Sequence, residues 1–489
     1  MNRLNVIPRF AIPYGFQDFW TCVSTLFDTH LPWPDGFDKI LGGGSKFWAS
    51  SGRQALWLIL KGLQLSLGTR VAVPLCGDTG VAKAIFQAGY TPVFLDVEEE
   101  TLTVKPHALA AARREIGAAV VVHLFGHVAR MDQLSDAAAG IPVIEDTVEA
   151  PLSFLDGRMA GTFGVASFYS FASSKCWPAG GGGLAVVNDP DLAARVREET
   201  RSLVAPARWR GLSNALGQMA KAVTFRPAFY GTLGIATRGW AERHSFLEPV
   251  LDLNQIQPGQ AAVALCQGLR FVGRLERLRA NSLYLLSLLS QVEDIILPNE
   301  RPGARYNFHL FPVLVRSFEE RAAVARGMLR RGVDTSLIHC DAVQKARELG
   351  YRGGCPIAES VASRLLTLPN HADLSTSQVE RVAGAFIEAL NVFRSGKVQR
   401  QWAPLPPVSQ SRTSIVKSRS DSEVRRALTG LRHEHPAEEL YMPLCGTTGD
   451  ESYSPPREGC RGGLFEPAGP TPKATPSTPP QRGFSQERK

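Results

Sequence analysis

Between residues 70 and 139 the chain alternates short apolar runs with segments of helical periodicity, and this alternation restricts the fold more than any other feature. Arg70 to Pro74 reads as a strand, Thr79 to Ala88 as a helix, and Thr91 to Leu95 as a strand ending at Asp96. Pro106 to Glu115 follows as a helix with proline near its first turn, then Ala118 to His123 as an apolar strand and Met131 to Ala139 as a helix. Parallel strands need crossover connections, and helical crossovers cover both faces of the sheet. The expected class is therefore α/β with a mostly parallel central sheet.

Two further runs carry chemistry. Val143-Ile144-Glu145-Asp146 ends in a carboxylate, and Ala166 to Phe171 leads through Ala172-Ser173-Ser174 to Lys175, followed by Gly180 to Gly183. Strand ends in an α/β sheet are where ligands sit. A lysine and an aspartate arriving there together suggest pyridoxal phosphate, joined to Lys175 as an imine, with Asp146 on the pyridinium nitrogen. A carboxylate beside that nitrogen keeps it protonated, which the ring needs in order to accept electrons. Taken singly, each residue has a plainer reading: Asp146 as a turn or cap residue, Lys175 as a solvated loop lysine.

The ordered set Glu145-Asp146, then Ser170-Phe171-Ala172-Ser173-Ser174-Lys175, then the glycine cluster resembles the DegT/StrS family of pyridoxal-phosphate-dependent sugar aminotransferases. The likeness runs from about Ser50 to about Leu390. It implies an aspartate-aminotransferase-like fold, a large cofactor domain followed by a smaller C-terminal α+β domain. It also implies an amino transfer from a donor such as glutamate to a nucleotide-linked keto-sugar, of the kind used in polysaccharide or antibiotic sugar biosynthesis. Ser50-Ser51-Gly52-Arg53-Gln54-Ala55-Leu56 stands where the family binds the cofactor phosphate, so Gly52, Arg53 and Ser170 are expected to hold it. A small-residue turn opening a helix suits a phosphate, and equally suits an ordinary N-cap. Asn254 matches a family asparagine that reaches the phosphate of the neighbouring subunit, which implies a homodimer; a helix cap fits its position as well. His123 and His339 fall where the family has histidines near substrate, though each is also readable as structural.

The chain departs from the family at four places. Arg53 replaces a threonine, Ile256 replaces an arginine, and Leu75-Cys76-Gly77-Asp78 lacks the aromatic residue expected to stack on the ring. Glu149 replaces a glutamine near the cofactor's phenolic oxygen, where a carboxylate repels that oxygen's anion unless one of them is protonated.

The remaining chain divides by composition. Residues 1–45 are aromatic and proline-rich and read as an extension packing on the large domain, which spans 46–250. Within it, about 205–248 is a basic and aromatic insertion with Arg208, Trp209, Arg210, Lys221, Phe225, Arg226, Arg238 and Trp240. Packing on its own dimer is the more ordinary reading of the insertion, and peripheral contact with a membrane the less ordinary one. Residues 251–394 hold a long helix opening at Asn254 and the small domain, with strands expected at Asn307 to Val315, Val333 to His339 and Leu365 to Pro369. Residues 395–489 are rich in proline and serine and are expected to be disordered.

The formal charge of +8 is mild for 489 residues and demands no nucleic acid. The eight cysteines form no C-x-x-C pair, so no metal site or disulfide framework is indicated. No signal segment or spanning run is recognised, and a soluble cytoplasmic protein is expected. A sugar dehydratase of the same family would carry histidine in place of Lys175, and a dinucleotide dehydrogenase would place its glycines between strand and helix. A non-catalytic, regulatory cofactor-binding protein is the alternative to the aminotransferase.

Overall fold

The computed structural model describes residues 5–26, 37–236 and 251–396. Its strands in chain order are β1 (Ser45–Ala49), β2 (Arg70–Pro74), β3 (Thr91–Leu95), β4 (Ala118–Val122), β5 (Val143–Asp146), β6 (Phe154–Leu155), β7 (Arg158–Met159), β8 (Ala166–Ser170), β9 (Gly183–Val187), β10 (Ala304–Arg305), β11 (Phe311–Leu314) and β12 (Leu365–Leu368). Seven of them form the central sheet in the order β1-β9-β8-β5-β4-β2-β3. The pairs β3/β2, β2/β4, β4/β5 and β5/β8 are parallel, and β9 runs antiparallel to both of its neighbours. The sheet is the expected one.

Alternation along each strand feeds two cores. Ala118 and Val120 of β4 face one side, with Ile144 of β5, against helices Gly52–Leu63, Thr79–Gln87 and Pro190–Arg201. Ala119 and Val121 face the other, with Val143, against Leu109, Met131 and Leu134 of the helices Pro106–Ala112 and Met131–Ala138. Both faces are buried, so β4 reads as an unbroken apolar run, as parallel strands do.

Helix Pro258–Leu289 ties the rest together. Its first half puts Val263, Leu265 and Phe271 into a third core with Trp177 and with Tyr169, Leu184 and Val186 of the sheet. Its last turns put Leu285 and Leu289 into the core of the β11/β12 pair, with Val324, Val382 and Phe386 of the flanking helices. Each fully buried side chain of this size contributes roughly 1.5–3 kcal/mol.

Two expectations are corrected here and a third is extended. The long helix begins at Pro258, which occupies the first helical turn, with Gln257 as its N-cap, so Asn254 is not a cap. Residues 333–339 form no strand: Val333 and Ser336 each make one isolated bridge, and the chain then turns through His339 at φ +65°. The N-terminal extension reaches past the large domain. Ile7 N–H donates to Gly332 O at 2.9 Å, Asp334 N–H donates to Ile7 O at 3.0 Å, and Ile7 is buried in the small core. The tail expected from 395 onward and the end of the insertion, including Arg238 and Trp240, lie outside the described residues.

Candidate active site

Because β2, β4, β5 and β8 are parallel, their carboxyl ends lie along one edge and deliver Asp78, His123, Asp146 and Ser170 there. Together with Lys175, these residues line a cavity of about 670 Å³. Lys175 sits in a tight turn after β8, its N–H donating to Ala172 O at 3.0 Å.

The Lys175 ammonium donates to Glu149 Oε1 at 2.9 Å, and both side chains are nearly buried. Glu149 Oε2 accepts the N–H of Phe125 at 2.9 Å, and His339 Nε2 lies 3.7 Å from Oε1. Phe125 adopts φ +60° and ψ +11°, a left-handed conformation that a bulky residue takes at a cost of about 1–3 kcal/mol. That strained turn aims the Phe125 N–H at the carboxylate. Burial works against the Lys175 charge, but Glu149, Asp78 and Asp146 outweigh it and raise the lysine's pKa. Burial likewise opposes the charge on Glu149, and Lys175 and His339 hold its pKa well below the usual carboxylate range. The pair is therefore an ammonium and a carboxylate. Glu149→Gln removes the lysine's nearest charge partner and is expected to lower its pKa. Labelling of Lys175 by an amine-reactive reagent in cofactor-free protein would then reach its midpoint at a lower pH than in wild type. An unmoved midpoint contradicts the pairing.

Asp146 behaves differently. Burial pushes its carboxyl up to about 7, reinforced by Glu149 and Asp78 and opposed by Lys175 and by the Val148 N–H, which it accepts at 3.0 Å. In an unfolded chain the same group ionises near pH 3.9. Between those two values the folded state keeps a proton that the unfolded state releases, so Asp146 costs stability as pH rises across that window. Asp146→Asn should therefore gain stability relative to wild type between pH 4 and pH 7, read as urea midpoints without cofactor. A pH-independent difference would sink the assignment.

Helix Gly52–Leu63 starts against Ser170: a Cβ at Gly52 would lie 2.9 Å from the Ser170 Cβ. The Ser51 hydroxyl caps the Gln54 N–H at 3.2 Å, and the first N–H groups of the helix have no intrahelical partner. Gln54 went unnoticed in the sequence. It is fully buried, accepts Ser50 N–H at 2.6 Å, and donates to Asp252 O at 2.5 Å and Asn254 O at 3.0 Å. The side-chain amide of Asn254 turns to Asp252. Ile256, at the arginine position, packs on Gly182. Gly183 pairs with both Ser170 and Ala49, and any Cβ there would strike the Ser51 backbone.

His123 is occupied by the protein itself. Its Nδ1 accepts Ala129 N–H at 3.1 Å, which leaves Nε2–H to donate to Glu145 at 2.9 Å, and its ring is fully buried. No ring nitrogen remains for a substrate. Glu145 also accepts the N–H groups of Gly161, Phe163 and Gly164 at 2.8, 2.7 and 2.6 Å. His339 lines the cavity beside Glu149. The insertion reaches the site as well: on helix Arg208–Thr224, Gln218 meets Ser173 Oγ at 2.6 Å and Lys221 lines the cavity.

This donor set fits pyridoxal phosphate. A buried lysine shares the cavity with a carboxyl poised near neutrality, and the capped start of helix Gly52–Leu63, with Arg53 and Ser170, lines the same cavity, where it would suit an anion. Val148, Phe168 and Leu56 supply apolar walls where no aromatic residue follows β2.

Comparison with known proteins agrees. Residues 36–387 match the model of the DegT/DnrJ/EryC1/StrS aminotransferase family. The dTDP-4-dehydro-2,3,6-trideoxy-D-glucose 4-aminotransferase of Saccharopolyspora spinosa is 29% identical over 70% of this chain and 83% of its own. The UDP-N-acetyl-3-dehydro-alpha-D-glucosamine 3-aminotransferase of Acidithiobacillus ferrooxidans is 27% identical over 68% of this chain and 81% of its own. The crystal structure of S. venezuelae DesV superposes with a TM-score of 0.63 at 25% identity, covering 78% of this chain and 98% of that one. Matched over most of its length, the chain belongs to the DegT/DnrJ/EryC1/StrS aminotransferase family, whose cofactor is pyridoxal phosphate.

Proposed function

We propose that the protein moves an amino group from an amino-acid donor, glutamate, to a keto-sugar carried on a nucleotide, and that it works as a cytoplasmic homodimer. The observation that carries the reading is Lys175 Nζ, held by Glu149 at 2.9 Å on the cavity that Asp146 also lines. The relatives named above supply the substrate class, since both act on nucleotide-linked dehydro-sugars by name.

When bound, pyridoxal phosphate supplies an electron sink for charge that develops on the substrate carbon. Gly52, Arg53 and Ser170 would hold its phosphate, and Asp146 its ring nitrogen. Lys175 Nζ would take the proton from the substrate carbon and return it as general base and acid. Glu149 and Asp78 stabilise the lysine in its protonated form and so oppose its release of a proton, while the Phe125 N–H keeps Glu149 in place. His339, beside Glu149, is the substrate-facing histidine that remains once His123 is committed to Glu145. Asn254 would serve the partner's phosphate only by turning its amide away from Asp252. The relatives named above are aminotransferases by name, which favours this reading over a regulatory protein of the same fold.

The test is incubation of cofactor-loaded protein with glutamate and a panel of dTDP- and UDP-linked keto-sugars, read by mass spectrometry. An aminated sugar nucleotide and stoichiometric 2-oxoglutarate are expected. Deamination of glutamate with no aminated sugar would overturn the acceptor, and no cofactor uptake would overturn the whole reading.

A further inference from the structure

The loop that carries Lys175 is closed on itself. Phe171 O accepts the N–H of Ala179 at 2.8 Å and the N–H of Gly181 at 3.1 Å, so residues 172–178 leave the sheet edge and return to it as one loop. Phe171, Cys176, Trp177 and Ala179 share a core with Ala215 and Ala222 of helix Arg208–Thr224, which lies in the insertion. The buried positions of that helix are Gly211, Ala215, Gln218 and Ala222, three or four apart. Three are small, and the fourth is a glutamine.

Gln218 reaches both limbs of the loop. Its Oε1 accepts the Ser173 hydroxyl at 2.6 Å on the outgoing limb. On the returning limb a Cβ at Gly180 would lie 3.1 Å from the Gln218 Cβ, and Gly180 stands at φ +79°, so close approach and backbone conformation together call for glycine. Lys221, one turn further on, donates to the same Ser173 oxygen at 3.4 Å. Gln218 Nε2 is buried and meets no partner among the described residues. A buried N–H left unpaired opposes folding, so the acceptor bond to Ser173 is what Gln218 contributes that an apolar side chain of its length could not. We propose that Gln218 is a positioning residue for Lys175: by holding Ser173, two residues before the lysine, and closing the space against Gly180, it fixes the loop so that Lys175 Nζ meets Glu149 at the cavity. A misplacement of about 1 Å at a proton-transferring group is worth up to about a hundredfold in rate, so this bond reaches the reaction without touching substrate. The effect on rate rests on Lys175 as the acid and base proposed above.

The test is Gln218→Met, which keeps the length and burial of the side chain while removing the acceptor and the unpaired amide, so the unfolding midpoint should hold. In cofactor-loaded protein kcat should fall between about tenfold and a hundredfold, with KM for glutamate within about twofold of wild type. In cofactor-free protein, amide exchange across residues 172–175 should quicken about tenfold as the loop loosens. Amine-reactive labelling of Lys175 at fixed pH should quicken as well, because a lysine less firmly held by Glu149 releases its proton more readily. Ser173→Ala should lose about as much kcat, and the two changes together little more than either alone, since both break one bond. A Gln218→Met kcat within about twofold of wild type, or losses that multiply in the double variant, overturns the proposal. So does a lowered unfolding midpoint with exchange quickened in helix Arg208–Thr224 and not across 172–175, which would leave Gln218 a packing residue. If the wild type transfers no amino group, the exchange and labelling results still decide whether Gln218 positions Lys175.

Discussion

Lys175→Ala is expected to lower kcat by about four orders of magnitude or more, equivalent to roughly 5.5 kcal/mol of barrier. Among the described residues no other amine is placed to replace it: Lys221 also lines the cavity but leans toward Ser173 Oγ at 3.4 Å. The variant's unfolding midpoint is read alongside, because the substitution leaves the buried Glu149 carboxylate with only the Phe125 N–H and His339 beside it. The substitution should also abolish the visible band that a lysine-bound cofactor gives, while weak cofactor uptake is expected to persist through the phosphate contacts proposed for Gly52 and Ser170. Absorption spectra and single-turnover rates with glutamate distinguish the outcomes. A variant retaining more than a hundredth of wild-type turnover would remove Lys175 from the chemistry.

The second large effect falls on stability. Glu145→Ala is expected to cost about 4 kcal/mol or more, enough to unfold much of the population under mild conditions. The wild-type carboxylate is fully buried and accepts three backbone N–H groups and the His123 ring. Alanine would strand all four donors where water cannot replace the lost partner. The loop of residues 161–164 and the turn after β4, which His123 fixes through Ala129, would both loosen. Glu145→Gln should be milder: one amide oxygen can still serve Phe163 and Gly164, while its NH₂ faces the Gly161 N–H and the His123 Nε2–H, and a change of His123 tautomer to accept from it would give up the Ala129 N–H. Denaturant midpoints without cofactor should fall in the order wild type, glutamine, alanine. Equal midpoints would show that the buried carboxylate anchors nothing.

Much of the central sheet was legible because its signals are local. Strands β2 and β3 fall on the expected residues, since apolar runs bounded by turn residues have few other ways to fold. The joint delivery of Asp146 and Lys175 to one sheet edge follows from two parallel strands alone. The weaker expectations concerned segments whose partners are distant. Residues 333–339 alternate like a strand, yet what they could pair with is set by Ile7, more than three hundred positions away, and by Thr367.

The same distinction runs through the site. Local spacing pointed to Lys175, Asp146 and Gly52, which line one cavity, because strand ends and helix starts are written in adjacent residues. Spacing could not assign Glu145 to holding a loop, occupy both nitrogens of His123, or make Gln54 the clamp on residues 252–254. Nor could it tell that the Glu149 carboxylate would face Lys175, or that a left-handed Phe125 would hold it there. Those roles depend on which polar groups are buried together, and burial is a property of the assembled layers. The sequence by itself determined the sheet and the chemical groups on its edge, through periodicity and turn chemistry. Only the tertiary structure decided the charge state and partner of each group, because desolvation and pairing act through space between residues far apart in the chain.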